Sequence, residues 1–200
     1  MTAESAPTSR QSTAPTAWEA SIRGTDRSGG EVITRPRPEQ LVELWNLTTM
    51  PTENVLFRQS YVDDKIGADG KPLCSAIIAL LVDDPDVFSD MHRLPTDELW
   101  HFYLGDPIEL LLLYPDGSDE LVTLGHDVLV GQRVQTVVPA GVWMGARLRS
   151  GGEYGVYGNT MAPGFVLTDF EGASSEELIA GWPHRAEMIR ALTRRRARQR

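Results

Sequence analysis

From Val55 onward the chain is a succession of short apolar and β-branched runs, cut every roughly 8–12 residues by turn signals. The runs are Val55–Val62, Leu73–Val82, Leu99–Leu104, Ile108–Tyr114, Glu120–Leu124, Gln132–Val138, Val142–Leu148 and Tyr154–Thr160. Between them stand Asp63–Pro72 with two glycines, Asp83–Asp86, Asp116-Gly117, Pro139–Gly141 and Gly151-Gly152. Asp116-Gly117 is a hairpin signal, because a tight two-residue loop needs positive φ. This rhythm predicts an all-β sandwich or barrel.

Helical signals flank the strands. In Pro36–Leu47, Leu41, Leu44 and Trp45 fall on one stripe at helical spacing, and prolines suit the start. Thr48–Asn54 reads as a loop broken by Pro51. Near the other end, Ser174 and Glu177 have capping-box spacing. Pro183 interrupts, and a second helix is expected over His184–Arg195 with Met188, Ile189 and Leu192 on one face. This helical tail is expected to pack on the outside of the barrel. Residues 1–35 are poor in apolar side chains and rich in Ser, Thr, Ala, Gly and Pro, and are expected to be a disordered leader. Trp18 is the exception, a side chain expected to dock on the body or on a partner. The expected organisation is a leader (1–35), one domain with its helices (36–193) and a basic tail (194–200).

The tail holds Arg194, Arg195, Arg196, Arg198 and Arg200, and reads as a solvated terminus, with contact to an acidic partner as the alternative. The whole chain carries a formal net charge of −9 over 200 residues, which argues against a nucleic-acid binder. A hydrophobic fraction of 41% is enough for a real core. The single cysteine, Cys74, cannot form an internal disulfide and suits a reducing cytoplasm. No apolar run approaches the roughly 18 residues of a membrane span, and residues 1–17 lack the apolar centre of a secretory signal.

One stretch concentrates chemistry. His92 to Asp106 sets two histidines and several carboxylates into an aromatic strand pattern that ends at Gly105. Glu98 is followed by six residues and Gly105, with His92 upstream, and Pro139-Ala140-Gly141 comes later. These resemble the two halves of the cupin motif. The closer resemblance is to the fifth cupin family. It is carried by Asp97–Pro107 (DELWHFYLGDP), Val138–Trp143 (VPAGVW), Met161–Phe165 (MAPGF) and Asp169-Phe170. It covers about residues 38–193. It implies a double-stranded β-helix, the cupin jelly roll, paired as a homodimer. The family's His-Pro-Glu-Gly-Gly phrase is replaced here by Pro51–Val55 (PTENV), which keeps Glu53; Arg58 follows in the next strand.

The resemblance also implies metal-ligand positions, and two of them are changed: Leu94 and Met144 stand where histidines would. A catalytic metal usually takes three or four protein ligands. His92 and Glu98 remain, so no resident metal is expected, a divalent ion at that pair being the residual alternative. His101 does not fill the gap, since in a strand residues 98, 100 and 102 share one face and 101 the other.

Without a metal the same pocket can move protons. Burial beside Trp100 and Phe102 raises the pKa of Glu98, as a general acid or base needs. Glu98 and His92 are the expected acid and base, and Arg58 the group that holds a ligand oxygen by a forked contact. Trp100, Phe102, Trp143, Met144, Glu53 and Tyr157 are the expected wall. The expected activity is isomerisation, epimerisation, cyclisation or elimination on a carbonyl-bearing metabolite, of a metal-independent isomerase, cyclase or lyase type. A non-catalytic ligand-binding cupin and a metal-dependent cupin oxygenase or isomerase are the alternatives. A structural Glu98–Arg58 pair inside the barrel is the bland reading of the same residues. His126, His184 and Cys74 are expected to be structural.

Overall fold

A computed structural model of the chain describes residues 23–25, 31–33 and 35–193. The chain divides into two units, 1–37 and 38–200. In the first, β1 (Arg23–Thr25) pairs antiparallel with β2 (Glu31–Ile33). The rest of the expected leader with Trp18, and the 194–200 tail, lie outside the described residues.

The second unit opens with helix α1 (Pro38–Trp45), where the leucine stripe predicted it. Eleven strands follow: β3 (Thr48–Thr49), β4 (Leu56–Val62), β5 (Ser75–Val82), β6 (Ser89–Arg93), β7 (Glu98–Gly105), β8 (Ile108–Leu113), β9 (Asp119–Leu124), β10 (Gln135–Val138), β11 (Trp143–Leu148), β12 (Tyr154–Met161) and β13 (Glu171–Gly172). They form two antiparallel sheets. One runs β10-β7-β12-β5-β4-β3, the other β13-β6-β11-β8-β9. This is the expected all-β jelly roll. Helices α2 (Ser175–Gly181) and α3 (Ala186–Ala191) complete it.

Three apolar clusters explain the layering. The interior holds the inward residues of both sheets, among them Ala79, Leu81, Trp100, Phe102, Leu110, Leu112, Met144 and Ala146. The outward residues of β8, Leu111 and Leu113, pack with Leu178, Met188, Ile189 and Leu192 of the C-terminal helical segment. Leu80 of β5 instead meets Leu41 of α1 together with Tyr154 and Val156. Helices cover the outer face of β8, so Leu110 to Leu113 are buried on both sides of the sheet. The alternation is therefore erased there, while on β7 it is intact.

Two turns show why glycine stands in the motifs. Gly105 has φ of 100°, and a Cβ there would sit 2.4 Å from the Tyr154 carbonyl oxygen. Gly141 has φ of 78° in the turn after Pro139. The Ser174 capping box forms as predicted. The last helix is shorter than expected, covering Ala186–Ala191 after a 3-10 turn at Pro183–Arg185. Strand β6 has no counterpart in the apolar pattern, because Ser89 and His92, which face the interior, are polar.

Candidate functional site

Residues from both sheets converge on a cavity of about 310 Å³ inside the barrel. Strand β4 contributes Phe57 and Gln59, β5 Ser75 and Ile77, β7 Glu98 and Trp100, and β12 Tyr157, Asn159 and Met161. The facing sheet supplies Ser89 and His92. Glu53 comes from the loop before β4, and Phe165, Leu167 and Phe170 from the segment after β12. That segment is tied down by the Phe165 N–H donating to Ser75 Oγ at 2.9 Å and by a Lys71–Asp169 ion pair at 2.6 Å.

Strand irregularities aim these side chains. Met144 pairs with His92 and Ala146 with Ser89, so two steps along β11 oppose three steps along β6. This bulge turns both Ser89 and His92 inward, although they are an odd number of residues apart. Across β7 and β12, Asn159 pairs with Trp100 and Met161 with Glu98, which sets four inward side chains in one patch. The Trp100 and Tyr157 rings stack at 4.6 Å with 6° between their planes, an arrangement worth roughly 0.5–1.5 kcal/mol beyond area burial.

The electrostatics centre on Glu98. It is buried, and loss of water pushes its pKa from 4.5 up to about 7. His92 pulls the value down, the Glu53 charge pushes it up, and a hydrogen bond from Trp100 favours the anion. That bond runs from Trp100 Nε1–H to Glu98 Oε2 at 2.7 Å. His92 Nδ1 lies 2.7 Å from the Asp90 carbonyl, which only accepts, so Nδ1 carries the proton. When the ring is neutral, Nε2 holds the lone pair. The ring stacks on Phe170 at 4.9 Å, and Nδ1 also lies 3.9 Å from Glu53 Oε2. Ser89 Oγ–H donates to the same Glu53 oxygen. Burial, Glu53 and Glu98 together push the Tyr157 phenol well above its usual range, so it stays a neutral donor.

The structure brings together Glu98, His92, Glu53, Trp100 and Tyr157 in one cavity. It does not bring in Arg58. That side chain is exposed and pairs in register with Ile78, which packs on the outer cluster, while Phe57 and Gln59 face inward. Trp143 is likewise on the outer face, packed against the helical cluster with the Arg93 guanidinium 4.6 Å from its ring centroid. Phe102 does face inward, but it lies deeper in the core, edge-on to His126 at 4.8 Å. Met144 is also a core residue beside the cavity and not part of its lining. His101 is on the opposite face of β7, as alternation predicted, with Nε2 3.2 Å from Thr160 Oγ1.

The cupin pattern raises the question of a metal. Leu94 lines the cavity and Met144 is packed in the core, so neither replaces a lost histidine. Glu53 already accepts from Ser89, and Glu98 from Trp100. Among the described residues no group of three His, Cys, Asp or Glu side chains is placed to hold a metal ion.

Sequence reasoning missed Gln59, Ser75, Ser89 and Asn159. Alternation could have found Gln59 once Phe57 was placed inward. Asn159 shares its face with Tyr157, but alternation alone does not say which face is inward. Asn159 carries the site's one orphan: its buried Nδ2 makes no hydrogen bond among the described residues.

A family model described as Cupin superfamily (DUF985) matches residues 39–173. No curated protein matches the chain. Among solved structures, the chain is similar to a protein from Shewanella oneidensis, with 28% identity and a TM-score of 0.72 over 80% of this chain and 99% of that one. It is also similar to a hypothetical protein from Leishmania major, with 22% identity and a TM-score of 0.71 over 79% and 99%. No helix among the described residues is long and apolar enough to cross a membrane.

Proposed function

The chain belongs to the cupin superfamily, in the family described as DUF985, and from that premise we propose that its cavity is an acid–base site acting on a small carbonyl-bearing molecule. The observation that carries this reading is the buried Glu98 carboxyl, which titrates near 7 beside His92. A group half protonated at neutral pH combines availability with driving force for proton transfer. Such values cluster at functional sites.

The roles follow from the hydrogen bonds. His92, with Nδ1–H held by the Asp90 carbonyl, presents the basic Nε2 and takes a proton from the carbon next to the carbonyl. Glu98 in its acid form gives its proton to the carbonyl oxygen, leaving a neutral enol and an imidazolium–carboxylate pair. Return of a proton to a different face or carbon completes an epimerisation or isomerisation. Expulsion of a neighbouring group, or attack by one, gives elimination or ring closure. Met161, Phe165 and Phe170 keep the intermediate away from water.

The test is proton–deuterium exchange at the α-carbon of 1- and 2-tetralone in D2O, followed by proton NMR. The protein accelerates exchange, and Glu98→Gln and His92→Ala each lower the rate by about 10²–10⁴-fold. Exchange no faster than in buffer, or undiminished in Glu98→Gln, sinks the assignment. Binding without exchange would make the barrel a ligand-binding module.

A further inference from the structure

We infer that the ligand of this cavity is an uncharged carbonyl compound whose oxygen accepts a hydrogen bond from the Asn159 side-chain amide. The inference deepens the acid–base reading and rests on its choice of cavity.

Two observations carry it. The first is the orphan amide. Asn159 is 6% exposed, lines the cavity, and its Nδ2 has no partner among the described residues. A buried donor without a partner is costly; Nδ2 is closed off where it stands, and a half-turn about the soft terminal torsion exchanges it with Oδ1, turning the donor to the cavity and leaving a carbonyl oxygen, the more tolerable orphan, in its place. The second is the charge inventory. Among the described residues the lining contains Glu53, His92 and Glu98, and neither lysine nor arginine. A carboxylate or phosphate would bring acceptors for Asn159, but it would meet two acidic side chains and no fixed cation. An ammonium ligand would suit the carboxylates, but it brings only donors and leaves Nδ2 unpaired. A neutral carbonyl supplies the acceptor without the charge. In this arrangement Asn159 takes the oxygen-holding part that Arg58, on the outer face, cannot play. At ~30 Å³ per water-sized group, the cavity of about 310 Å³ has room for a bicyclic ketone.

The experiment compares three probes of one size at pH 8 by calorimetry: 2-tetralone, 2-naphthoate and 2-aminotetralin. The ketone binds at least tenfold more tightly than either charged probe. Asn159→Leu weakens ketone binding about tenfold, while the melting temperature of the unliganded protein holds or rises because an unpaired donor is gone. Asn159→Asp, close in shape, loses ketone affinity in the same way and keeps the result readable if the leucine variant folds poorly. Glu98→Gln retains ketone binding while losing exchange, which separates a failure of the acid–base reading from a failure of this one. No ketone binding, tighter binding of naphthoate or the amine, or undiminished ketone affinity in both Asn159 variants overturns it.

Discussion

Glu98→Gln exchanges one carboxyl oxygen for an amide nitrogen and keeps an acceptor for Trp100 Nε1–H. Its effect on stability follows from the structure with a definite sign. Folding raises the Glu98 pKa from 4.5 to about 7, so the folded state holds the proton more tightly than the unfolded chain. The stability due to that tighter hold is complete below 4.5 and is lost as pH rises to about 7. At roughly 1.4 kcal/mol per pH unit, the gap amounts to about 3 kcal/mol. Glutamine does not titrate. The variant and the parent therefore have similar stability near pH 4.5, and by pH 8 the variant is more stable by about 3 kcal/mol. For a chain of this size that is roughly 6–12 °C in Tm. Urea unfolding of both proteins at intervals from pH 4.5 to 8 reads the difference directly. A stability difference that does not change with pH, or one that favours the parent more as pH rises, would refute the claim that the site penalises the Glu98 anion. The variant that gains this stability should be the one that loses exchange, since the strain of a charge held out of water is what makes the carboxyl useful.

Other perturbations test neighbouring parts. Trp100→Phe removes the donor that favours the Glu98 anion, so the pH–rate profile for ketone exchange moves to higher pH by about one unit; an unmoved or acid-shifted profile contradicts the hydrogen bond's role. Arg58→Ala leaves ketone affinity and exchange within about twofold, since the side chain is exposed on the outer face; a tenfold loss would return Arg58 to the site. Ser174→Ala breaks the capping box of α2 and costs about 1 kcal/mol in urea unfolding, with no change in ligand binding.

The sequence by itself determined the architecture and one face of the site. Turn residues marked where strands must end, and strict alternation along Glu98, Trp100 and Phe102 placed these three together, with His101 behind them. The reason is local: a strand has a side-chain period of two, so relative facing within one strand can be read without knowing its neighbours. The same period leaves the absolute face open. On β4 it did not say whether Arg58 or the Phe57–Gln59 pair turned inward, and on β11 it did not separate Trp143 from Met144. Pairing with β5 and the cover of the helices settled those two strands. The bulge in β6 was beyond any periodic reading, because it breaks the period to bring Ser89 and His92 to one cavity. The missing partner of Asn159 belongs to the same class: a hydrogen bond left unmade is a property of the packed environment, and no residue carries it alone. Tertiary packing, by choosing the inward phase of each strand, decided which of the described side chains share the cavity.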